Sequence, residues 1–546
     1  MPNFKLDDRE IPFEKGETII KAAWRVGVEI PHYCWHPGLS VAANCRMCLV
    51  EIEPAPGGRA MMLDIMKWDA AKNDYVPDRK PKLQPACQVQ AADGMVVRST
   101  TSKHAAEARA HVQEFLLVNH PVDCPICDQA GECKLQDYWM SEQRTFKRMR
   151  DEPVHKPKGV VFGDTIVYDA ERCITCTRCI RVCDELAGDH MLDLRERGNR
   201  NEVVLAPGRK LEGDYTLMTE HVCPVGALTS SHFRFKARVW TLRETPSVCP
   251  GCATGCNMYL DVDPREQRAY RNRPRDNEAV NRFWMCDDGM MTYLREHEGR
   301  VVKARLGRDG AREDVKLSAA LDRAAEAIAK VPAGKLAVLL GAQFSTEANL
   351  VLAAFARALG ASVYLTAKAP WRADKILRHA DQNPNRAGAT AVAGGAVGGV
   401  QELLAAAAAG HVQGIVGLGA DVDVDVSALA PLSRIGDVVL FLSHEGPLAR
   451  FATVVLPAAS WAEADGSFVN AKRLAQPFKR ALPLKGDAAP AWDLVARLGR
   501  AMNLDLSYTK LREVRAALLA QAPEAHPDSR PGAVSADAGA QAQKGA

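Results

Sequence analysis

The chain has 546 residues and, at roughly 100–200 residues per domain, it predicts about three to five domains; its hydrophobic fraction of 47% is ordinary for globular proteins. Its 70 basic and 67 acidic side chains nearly balance at a net charge of +3, which gives no reason to expect nucleic acid as a partner. No uncharged apolar run approaches the roughly 18 residues that span a bilayer, and residues 1–17 resemble neither a signal nor a transit peptide. We therefore expect a cytosolic protein that contacts membranes only through partners.

The first third of the chain predicts a small β-rich domain followed by a helix. Apolar patterning indicates, in order, two short strands around an Asp-Asp turn (3–12), a helix ending at Gly27 (17–27), two strands (48–53 and 95–99) and a second helix (101–118). A cysteine-dense stretch runs from residue 120 to residue 286.

The pattern after residue 300 alternates strands and helices. It predicts a strand (335–341), a helix (345–359) and three more strands (361–366, 412–418 and 436–442). This order is typical of a parallel sheet covered by helices. The small, polar and proline-containing residues 521–546 predict a disordered tail.

Sixteen cysteines are the most informative feature, and none lies beyond residue 286. Pairs with the spacing C-x2-C recur in a large chain without a signal peptide, which favours metal binding over disulfides. The first set lies in the β-rich domain and consists of Cys34, Cys45, Cys48 and Cys87. Its spacing, C-x10-C-x2-C with a distant fourth cysteine, is a longer version of the plant-type [2Fe–2S] pattern, with zinc as the alternative.

Residues 173–183 read CITCTRCIRVC, the C-x2-C-x2-C-x3-C spacing of bacterial [4Fe–4S] ferredoxins. Zinc ribbons rarely show three cysteines at this spacing. Far downstream, Cys223 begins CPVGALT, and a Cys-Pro pair is typical of the ligand that closes such a cube. Cys173, Cys176 and Cys179 therefore belong together, and either Cys183 or Cys223 completes their set.

A further set reads CPGCATGC and supplies Cys249, Cys252 and Cys256, with Cys286 thirty residues on; it also suits a [4Fe–4S] cluster. The stretch HPVDCPICDQAGECKLQD, residues 120–137, contains only three cysteines: Cys124, Cys127 and Cys133. Its fourth ligand is either His120 or a cysteine left over from the 173–223 set, since two-cluster ferredoxins share cysteines in that way. Spacing alone leaves both possibilities open.

These motifs together resemble a known family. The stretches PHYCWHPGLSVAANCRMCLVEIE, HPVDCPICDQAGECKLQD, CITCTRCIRVCDELAG, CPVGALT and CPGCATGC, with PNRAGA (384–389) and VVLPAASWAEADGSFVNAKRLAQ (454–476), are similar to the G subunit of NADH-quinone oxidoreductase, the largest peripheral-arm iron–sulfur subunit of bacterial respiratory complex I. The resemblance covers roughly residues 1–500.

The resemblance implies the ligands of four clusters. It gives a [2Fe–2S] cluster on Cys34, Cys45, Cys48 and Cys87, and [4Fe–4S] clusters on His120, Cys124, Cys127 and Cys133, on Cys173, Cys176, Cys179 and Cys223, and on Cys249, Cys252, Cys256 and Cys286. Cys183 is then left over. An imidazole in place of a thiolate removes a negative charge, which should raise the reduction potential of the cluster at His120.

The resemblance also implies an electron wire without catalytic residues or a substrate pocket of its own. Electrons from a flavin- and NADH-binding partner would enter at the [2Fe–2S] cluster, pass through the 173–223 and His120 clusters, and leave towards quinone. The cluster at Cys249–Cys286 would lie off this path. The whole complex would couple the transfer to proton translocation, at the cytoplasmic face of the bacterial inner membrane.

The implied fold is α+β and α/β, in several domains. We expect a β-grasp [2Fe–2S] ferredoxin domain (1–100), a His(Cys)3-ligated [4Fe–4S] domain (101–140), a ferredoxin-like [4Fe–4S] domain (141–241), a molybdopterin-oxidoreductase-type [4Fe–4S] domain (242–300), a doubly wound molybdopterin-oxidoreductase-like domain (301–520) and the disordered tail (521–546).

Two regions depart from the family pattern. Residues 56–82 are an extra segment, expected to be a surface insertion rather than a partner-binding hairpin. The C-terminal half is short for a true molybdoenzyme, so no molybdenum cofactor is expected.

Three rival functions are weighed against this prediction. A catalytic formate dehydrogenase subunit would need a cysteine or selenocysteine after the last cluster, and no cysteine follows Cys286. The diaphorase side of a soluble hydrogenase usually stops before a βαβ region such as the one predicted here. A zinc-ribbon scaffold would hold zinc in place of iron.

Overall fold

Two compact units, residues 1–240 and 241–546, make up the chain in the computed structural model. The structure describes residues 1–54, 62–142, 148–308 and 310–526. No helix in these ranges is long and apolar enough to cross a membrane.

The N-terminal unit contains three small sheets, one isolated hairpin and several short helices. Its elements are β1 Asn3–Leu6, β2 Arg9–Pro12, α1 Ile19–Arg25, β3 Leu49–Ile52, β4 Met62–Asp69, β5 Asp74–Pro81, β6 Gln84–Pro85, β7 Val96–Arg98, α2 Lys103–Leu117, α3 Lys134–Glu142, β8 Val160–Val161, β9 Ile166–Tyr168, α4 Arg178–Arg181, a π-helix Val182–Ala187, β10 Leu192–Arg195, a 3-10 turn Gly198–Arg200, β11 Glu202–Leu205, α5 Leu217–His221, β12 Leu228–Ser230 and a 3-10 turn Val239–Thr241.

The first hundred residues contain a mixed five-stranded sheet with the strand order β2-β1-β7-β3-β6. Strands β1 and β2 pair antiparallel around Asp7, whose φ of 52° makes the tight turn, and β1 pairs parallel with β7. Ile19 and Ile20 of α1 are fully buried against Phe4 and Ile11 of the sheet. This is the β-grasp arrangement, and the predicted strands and helices up to residue 118 agree with the observed bounds to within two residues.

The extra segment at 56–82 forms a separate two-stranded hairpin over its described part. Strands β4 and β5 pair only with each other, and Lys80 at the base contacts Glu107 at 3.9 Å. Leu63, Met66 and Tyr75 are exposed. The described part of the segment is thus a hairpin with exposed apolar side chains, its first residues (56–61) lie outside the described ranges, and its role as a surface insertion stays a prediction.

The remainder of the N-terminal unit is built around the sheet β12-β9-β8 and the hairpin β10-β11. Tyr168 and Ile166 of β9 are buried, and Phe162 stacks on Tyr168 with ring centroids 4.6 Å apart. Between these strands, α4 and the π-helix carry the second half of the CITCTRCIRVC motif, and α5 leads into CPVGALT.

The C-terminal unit contains a three-stranded sheet followed by a larger α/β domain. Its elements are β13 Arg243–Val248, β14 Asn257–Asp263, β15 Arg268–Pro274, α6 Asp287–Met290, a 3-10 helix Thr292–His297, β16 Ala304–Leu306, β17 Glu313–Val315, α7 Leu317–Ala329, β18 Leu336–Gly341, α8 Thr346–Ala358, β19 Ser362–Thr366, α9 Arg386–Ala393, α10 Val400–Ala408, β20 Gly414–Leu418, a 3-10 helix Val426–Arg434, β21 Asp437–Leu442, a 3-10 turn Ala449–Phe451, β22 Val454–Pro457, β23 Gly466–Val469, β24 Ala475–Phe478, α11 Ala491–Ala501, α12 Leu511–Gln521 and a 3-10 turn Pro523–Ala525.

Seven strands form the large sheet, in the order β17-β16-β22-β21-β20-β18-β19, and the five from β22 to β19 run parallel. Alternate residues of β18 point to opposite faces: Val338 and Leu340 pack on the side of α8 and α11, whereas Ala337 and Leu339 pack on the side of α10. Helices therefore cover both faces, which confirms the predicted doubly wound fold.

The end of the chain differs from the prediction in one respect. The predicted disordered tail begins at residue 521, but residues 521–526 complete α12 and a 3-10 turn. Ala522 and Ala525 are buried in the core beneath α8, and this apolar contact extends the folded region. The rest of the predicted tail, 527–546, lies outside the described residues.

Candidate functional site

The first cysteine set surrounds one edge of the β-grasp sheet. Cys34 follows α1, Cys45 and Cys48 precede β3, and Cys87 follows β6. The backbone N–H of Cys34 donates to Sγ of Cys45 at 3.5 Å, and Cys48 lies against Cys87. The loop is bent at Ala43 and Arg46, which have φ values of 51° and 61°. This loop wraps around the four thiols and directs a backbone N–H at sulfur.

The third set surrounds a small cavity in the N-terminal unit. Its cysteine lining consists of Cys173, Cys176, Cys179 and Cys223. Thr175 and Thr177 adopt left-handed φ values of 50° and 63° between these cysteines, and the N–H of Thr175 donates to Sγ of Cys173 at 3.3 Å. These turns direct the three closely spaced thiols of the motif to one point.

Cys183 does not line that cavity. It lies on the π-helix and is buried, and burial, together with Asp184 and Asp189, raises its pKa to about 12. A neutral buried thiol behaves as a small hydrophobic residue. Of the two residues that spacing left open, the cavity therefore includes Cys223 and excludes Cys183.

The second set lies on the loop between α2 and α3. Cys127 and Cys133 are buried, Cys124 is half-buried, and the three thiols are close enough to interact electrostatically. A Cβ atom on Gly226, in the CPVGALT motif, would lie only 2.1 Å from Sγ of Cys127. Only glycine therefore fits where the loop of the third set meets the second set, a requirement that the motifs alone did not reveal.

His120 begins this loop, and its surroundings suit a ligand nitrogen. Its Nδ1 atom is buried and has no hydrogen-bond partner in the part of the chain that the structure describes. Burial, assisted by Arg172, lowers the pKa of His120 to about 4, so the imidazole is neutral at pH 7. A neutral imidazole with an unused buried nitrogen is the form that binds a metal.

A network of charges holds the start of the same loop. Asp123 accepts hydrogen bonds from Lys158 at 2.6 Å and from Arg172 at 3.0 Å, and Arg172 also contacts Asp169 at 3.4 Å. Arg172 and Asp169 are almost fully buried. This network fixes the loop between His120 and Cys124.

The fourth set lies in the C-terminal unit, next to the sheet β13-β14-β15. A small cavity has Cys249, Cys252, Cys256 and Cys286 in its lining. The N–H of Gly251 donates to Sγ of Cys249 at 3.4 Å, and the N–H of Gly289 donates to Sγ of Cys286 at the same distance. Cβ atoms on these two glycines would approach Sγ of Cys249 to 3.3 Å, so both allow the backbone close to sulfur.

These buried thiols would need a cationic partner in order to bind as thiolates. Burial raises the pKa of Cys133 to about 11 and that of Cys249 to about 12. Such thiols become thiolates when a metal compensates their charge. In the described ranges, no three His, Cys, Asp or Glu side chains are spaced to hold a single metal ion. The cysteine-lined cavities are where the predicted [4Fe–4S] clusters would fit, with thiolates as ligands.

A larger cavity of the C-terminal unit lies at the carboxyl ends of the parallel strands. Ser345, Lys368, Asp421 and His444 are among its lining residues, and the lining contains no cysteine. Burial lowers the pKa of Lys368 to about 8 and that of His444 to about 4. The cavity therefore lacks the thiolate on which the formate dehydrogenase hypothesis depends.

Five family models match successive parts of the chain. They are the 2Fe-2S iron-sulfur cluster binding domain (2–102), the NADH-ubiquinone oxidoreductase-G iron-sulfur binding region (109–145), the NADH-quinone oxidoreductase subunit 3 ferredoxin-like domain (163–229), the molybdopterin oxidoreductase Fe4S4 domain (242–297) and the molybdopterin oxidoreductase model (423–501). They confirm the predicted fold class and the presence of [2Fe–2S]- and [4Fe–4S]-type domains.

Several curated relatives are named as G subunits of NADH-quinone oxidoreductase. The NADH-quinone oxidoreductase G subunit of Mycobacterium bovis is 36% identical over 363 residues, which is 65% of this chain and 42% of that protein. The protein of the same name from Rickettsia conorii is 32% identical over 378 residues, 69% of this chain and 52% of that protein. This chain is a homologue of the NADH-quinone oxidoreductase G subunit. It spans about half the length of the curated relatives that it matches.

One solved structure is similar over a smaller region. A chain of an NAD+-reducing [NiFe]-hydrogenase is 25% identical and covers 44% of this chain and 91% of its own, with a TM-score of 0.35. The homology to the G subunit therefore rests on the family models and the curated relatives.

Proposed function

We propose that this chain is the iron–sulfur electron-transfer subunit of an NADH:quinone oxidoreductase. The observation that carries the proposal is the gathering of cysteines that are distant in sequence. Cys223 joins the 173–179 motif, Cys87 joins the 34–48 loop, and Cys286 joins the 249–256 loop. Relatives named as subunits of that oxidoreductase support it over the formate dehydrogenase and hydrogenase hypotheses.

We assign one [2Fe–2S] and three [4Fe–4S] clusters to the four sets. The ligands would be Cys34, Cys45, Cys48 and Cys87 for the first; His120, Cys124, Cys127 and Cys133 for the second; Cys173, Cys176, Cys179 and Cys223 for the third; and Cys249, Cys252, Cys256 and Cys286 for the fourth. Such clusters, when bound, accept and donate single electrons. The predicted segments up to residue 520 are proposed as the corresponding domains, and residues 521–526 belong to the last of them.

The residues of the chain would position and shield these groups. Buried ligands exclude water, and backbone N–H groups of Cys34, Thr175 and Gly251 donate to sulfur, which favours added negative charge there. The orphaned Nδ1 of His120 supports its assignment as the fourth ligand of the second set. Cys183 would be a buried thiol without a role as ligand.

The partners and the location follow from the same proposal. The chain would receive electrons from a flavin- and NADH-binding subunit, pass them within the peripheral arm towards quinone, and remain at the cytoplasmic face of the bacterial inner membrane. The complex as a whole would couple this transfer to proton translocation. We propose no substrate or molybdenum-cofactor site on the chain itself, and the lining of its larger cavity includes no cysteine.

Low-temperature electron paramagnetic resonance on the purified complex tests this function. NADH should reduce the clusters of this chain, so that their [2Fe–2S] and [4Fe–4S] signals appear. A specific quinone-site inhibitor should not prevent this reduction. Iron–sulfur signals that respond to dithionite but never to NADH would contradict the proposal. Complex containing zinc at these sites would contradict it as well.

A further inference from the structure

Two arginines of the CITCTRCIRVC motif connect the first and third ligand sets. Arg178 lies on α4 and is almost fully buried. Its guanidinium donates to the carbonyl oxygen of Trp35, the residue after Cys34, and at 3.2 Å to the carbonyl oxygen of Val222, the residue before Cys223. One side chain thus links the backbones beside a ligand of each set.

Arg181, one turn later on α4, makes a second link. Its guanidinium donates to the carbonyl oxygens of Cys34 and Ser40 in the loop of the first set. It also donates, at 3.3 Å, to the carbonyl oxygen of Cys176 in the third set. Both arginines therefore hold ligand loops that lie about 140 residues apart in sequence.

Within the described part of the chain no carboxylate forms an ion pair with these arginines; the carboxylate of Glu185 accepts from Ser40, which Arg181 also contacts. Neither Arg178 nor Arg181 forms an ion pair there, and Nε of each is buried without a hydrogen-bond partner. Arg178 is buried and Arg181 is half-buried. A buried guanidinium without an ion-pair partner, such as that of Arg178, is unfavourable unless a negative charge lies nearby. Arg178 interacts electrostatically with Cys176 and Cys223, which are assigned here as thiolate ligands.

We propose that Arg178 and Arg181 are positioning residues that join the loops of two clusters and raise the reduction potentials of both. The proposal rests on the proposed function, because it requires clusters on the first and third sets. A ligated cluster gains negative charge when it is reduced, and a fixed positive charge in a medium of low dielectric constant stabilises that reduced state. The same two side chains would also fix the ligand loops of the first and third sets, between which an electron would be transferred.

Redox titration of the full chain, purified without oxygen, tests the proposal. R181Q removes one charge and its hydrogen bonds, whereas R181K keeps the charge with fewer donors. We expect the midpoint potentials of the [2Fe–2S] signal and of one [4Fe–4S] signal to shift to more negative values in R181Q. In R181K they should stay close to the wild-type values.

The matched control is R109Q. Arg109 is a buried arginine of the same unit whose guanidinium contacts Glu142 and the carbonyl oxygen of Ser99. R109Q should leave the midpoint potentials of both clusters unchanged. This control separates a charge effect at the clusters from general destabilisation of the unit. If R181Q does not contain its clusters, R178Q replaces it in the test. R178Q removes the other positive charge and should also shift both midpoint potentials to more negative values.

Two results would overturn the inference: unchanged potentials in the loaded charge-removal variant, or an equal shift in R181K. The iron and acid-labile sulfide content of the wild-type chain distinguishes failure of the proposed function from failure of the role of the arginines. Their absence would refute the proposed function itself, whereas a full complement with insensitive potentials would refute only the role of the arginines.

Discussion

The N-terminal and C-terminal units embed their ligand sets differently. The N-terminal unit contains three sets that contact one another through Gly226 and through the arginines of α4. The C-terminal unit contains one set at a small sheet, and most of that unit is a doubly wound domain whose larger cavity has no cysteine lining. Under the proposed function, this difference predicts that electron transfer depends on the first unit, whereas the second unit, which matches the molybdopterin oxidoreductase models, holds a single set.

Loss of a ligand in the first unit should have the largest effect. C223A should abolish the [4Fe–4S] signal of the third set, because Cys223 lines its cavity, and should stop quinone reduction by NADH. C183A is the matched control, since Cys183 lies on the neighbouring π-helix outside that cavity, and it should keep every signal. A lost [4Fe–4S] signal in C183A would mean that the sets share cysteines as in two-cluster ferredoxins.

The contact between the second and third sets can be broken by a single methyl group. G226A would place Cβ 2.1 Å from Sγ of Cys127, so the thiol must move from its position. We expect loss or strong broadening of the signal from the His120 set, measured by electron paramagnetic resonance. G395A, at a glycine whose added Cβ meets no atom within 4 Å, should leave all signals intact. An unaltered spectrum in G226A would show that the two loops do not meet in this way.

Changes at His120 should have an intermediate effect. H120C should keep the cube but add a negative thiolate, which favours the oxidised cluster and lowers the midpoint potential. H120A should leave a labile cluster and slow electron transfer onward. NADH oxidation with an artificial acceptor at the flavin should survive in both variants. If the potential and the spectrum in H120C match those of the wild type, His120 is only a neighbour of the cluster.

A change in the C-terminal unit should alter stability alone. Burial raises the pKa of Asp261, but Arg273 and Arg271 outweigh it and lower the pKa to about 2. Because an unfolded Asp has a pKa of about 3.9, the carboxylate stabilises the fold above about pH 4, and this contribution disappears as the pH falls towards 2.

D261N should therefore lower the free energy of unfolding at pH 7 by on the order of 2 kcal/mol, and the deficit should shrink as the pH falls below about 4. Thermal unfolding of both chains over this pH range measures it, with D505N, at an exposed aspartate, as the control. Cluster signals of the first unit should not change. A deficit that is the same at pH 3 and pH 7 would contradict the charge argument.

Local patterns were sufficient to predict much of the fold. The strands and helices before residue 118 and the βαβ order after residue 335 were predictable because apolar periodicity in short stretches determines them. That Cys223 rather than Cys183 lines the cavity of the third set could be seen only in the fold, since spacing left both residues possible. The links of Arg178 and Arg181 could not be predicted, because their partners are carbonyl groups about 140 residues away that any residue type supplies. Gly226 was missed for the same reason, although a glycine directly after a Cys-Pro-Val run is a signal that could have been used.

The central claim is that fifteen cysteines and one histidine hold four iron–sulfur clusters. Its most direct test is the iron, acid-labile sulfide, zinc and molybdenum content of the full chain, purified without oxygen. We predict about fourteen iron atoms and about fourteen sulfides per chain, with neither zinc nor molybdenum in stoichiometric amount. Zinc in place of iron, or iron without an equal amount of sulfide, would contradict it.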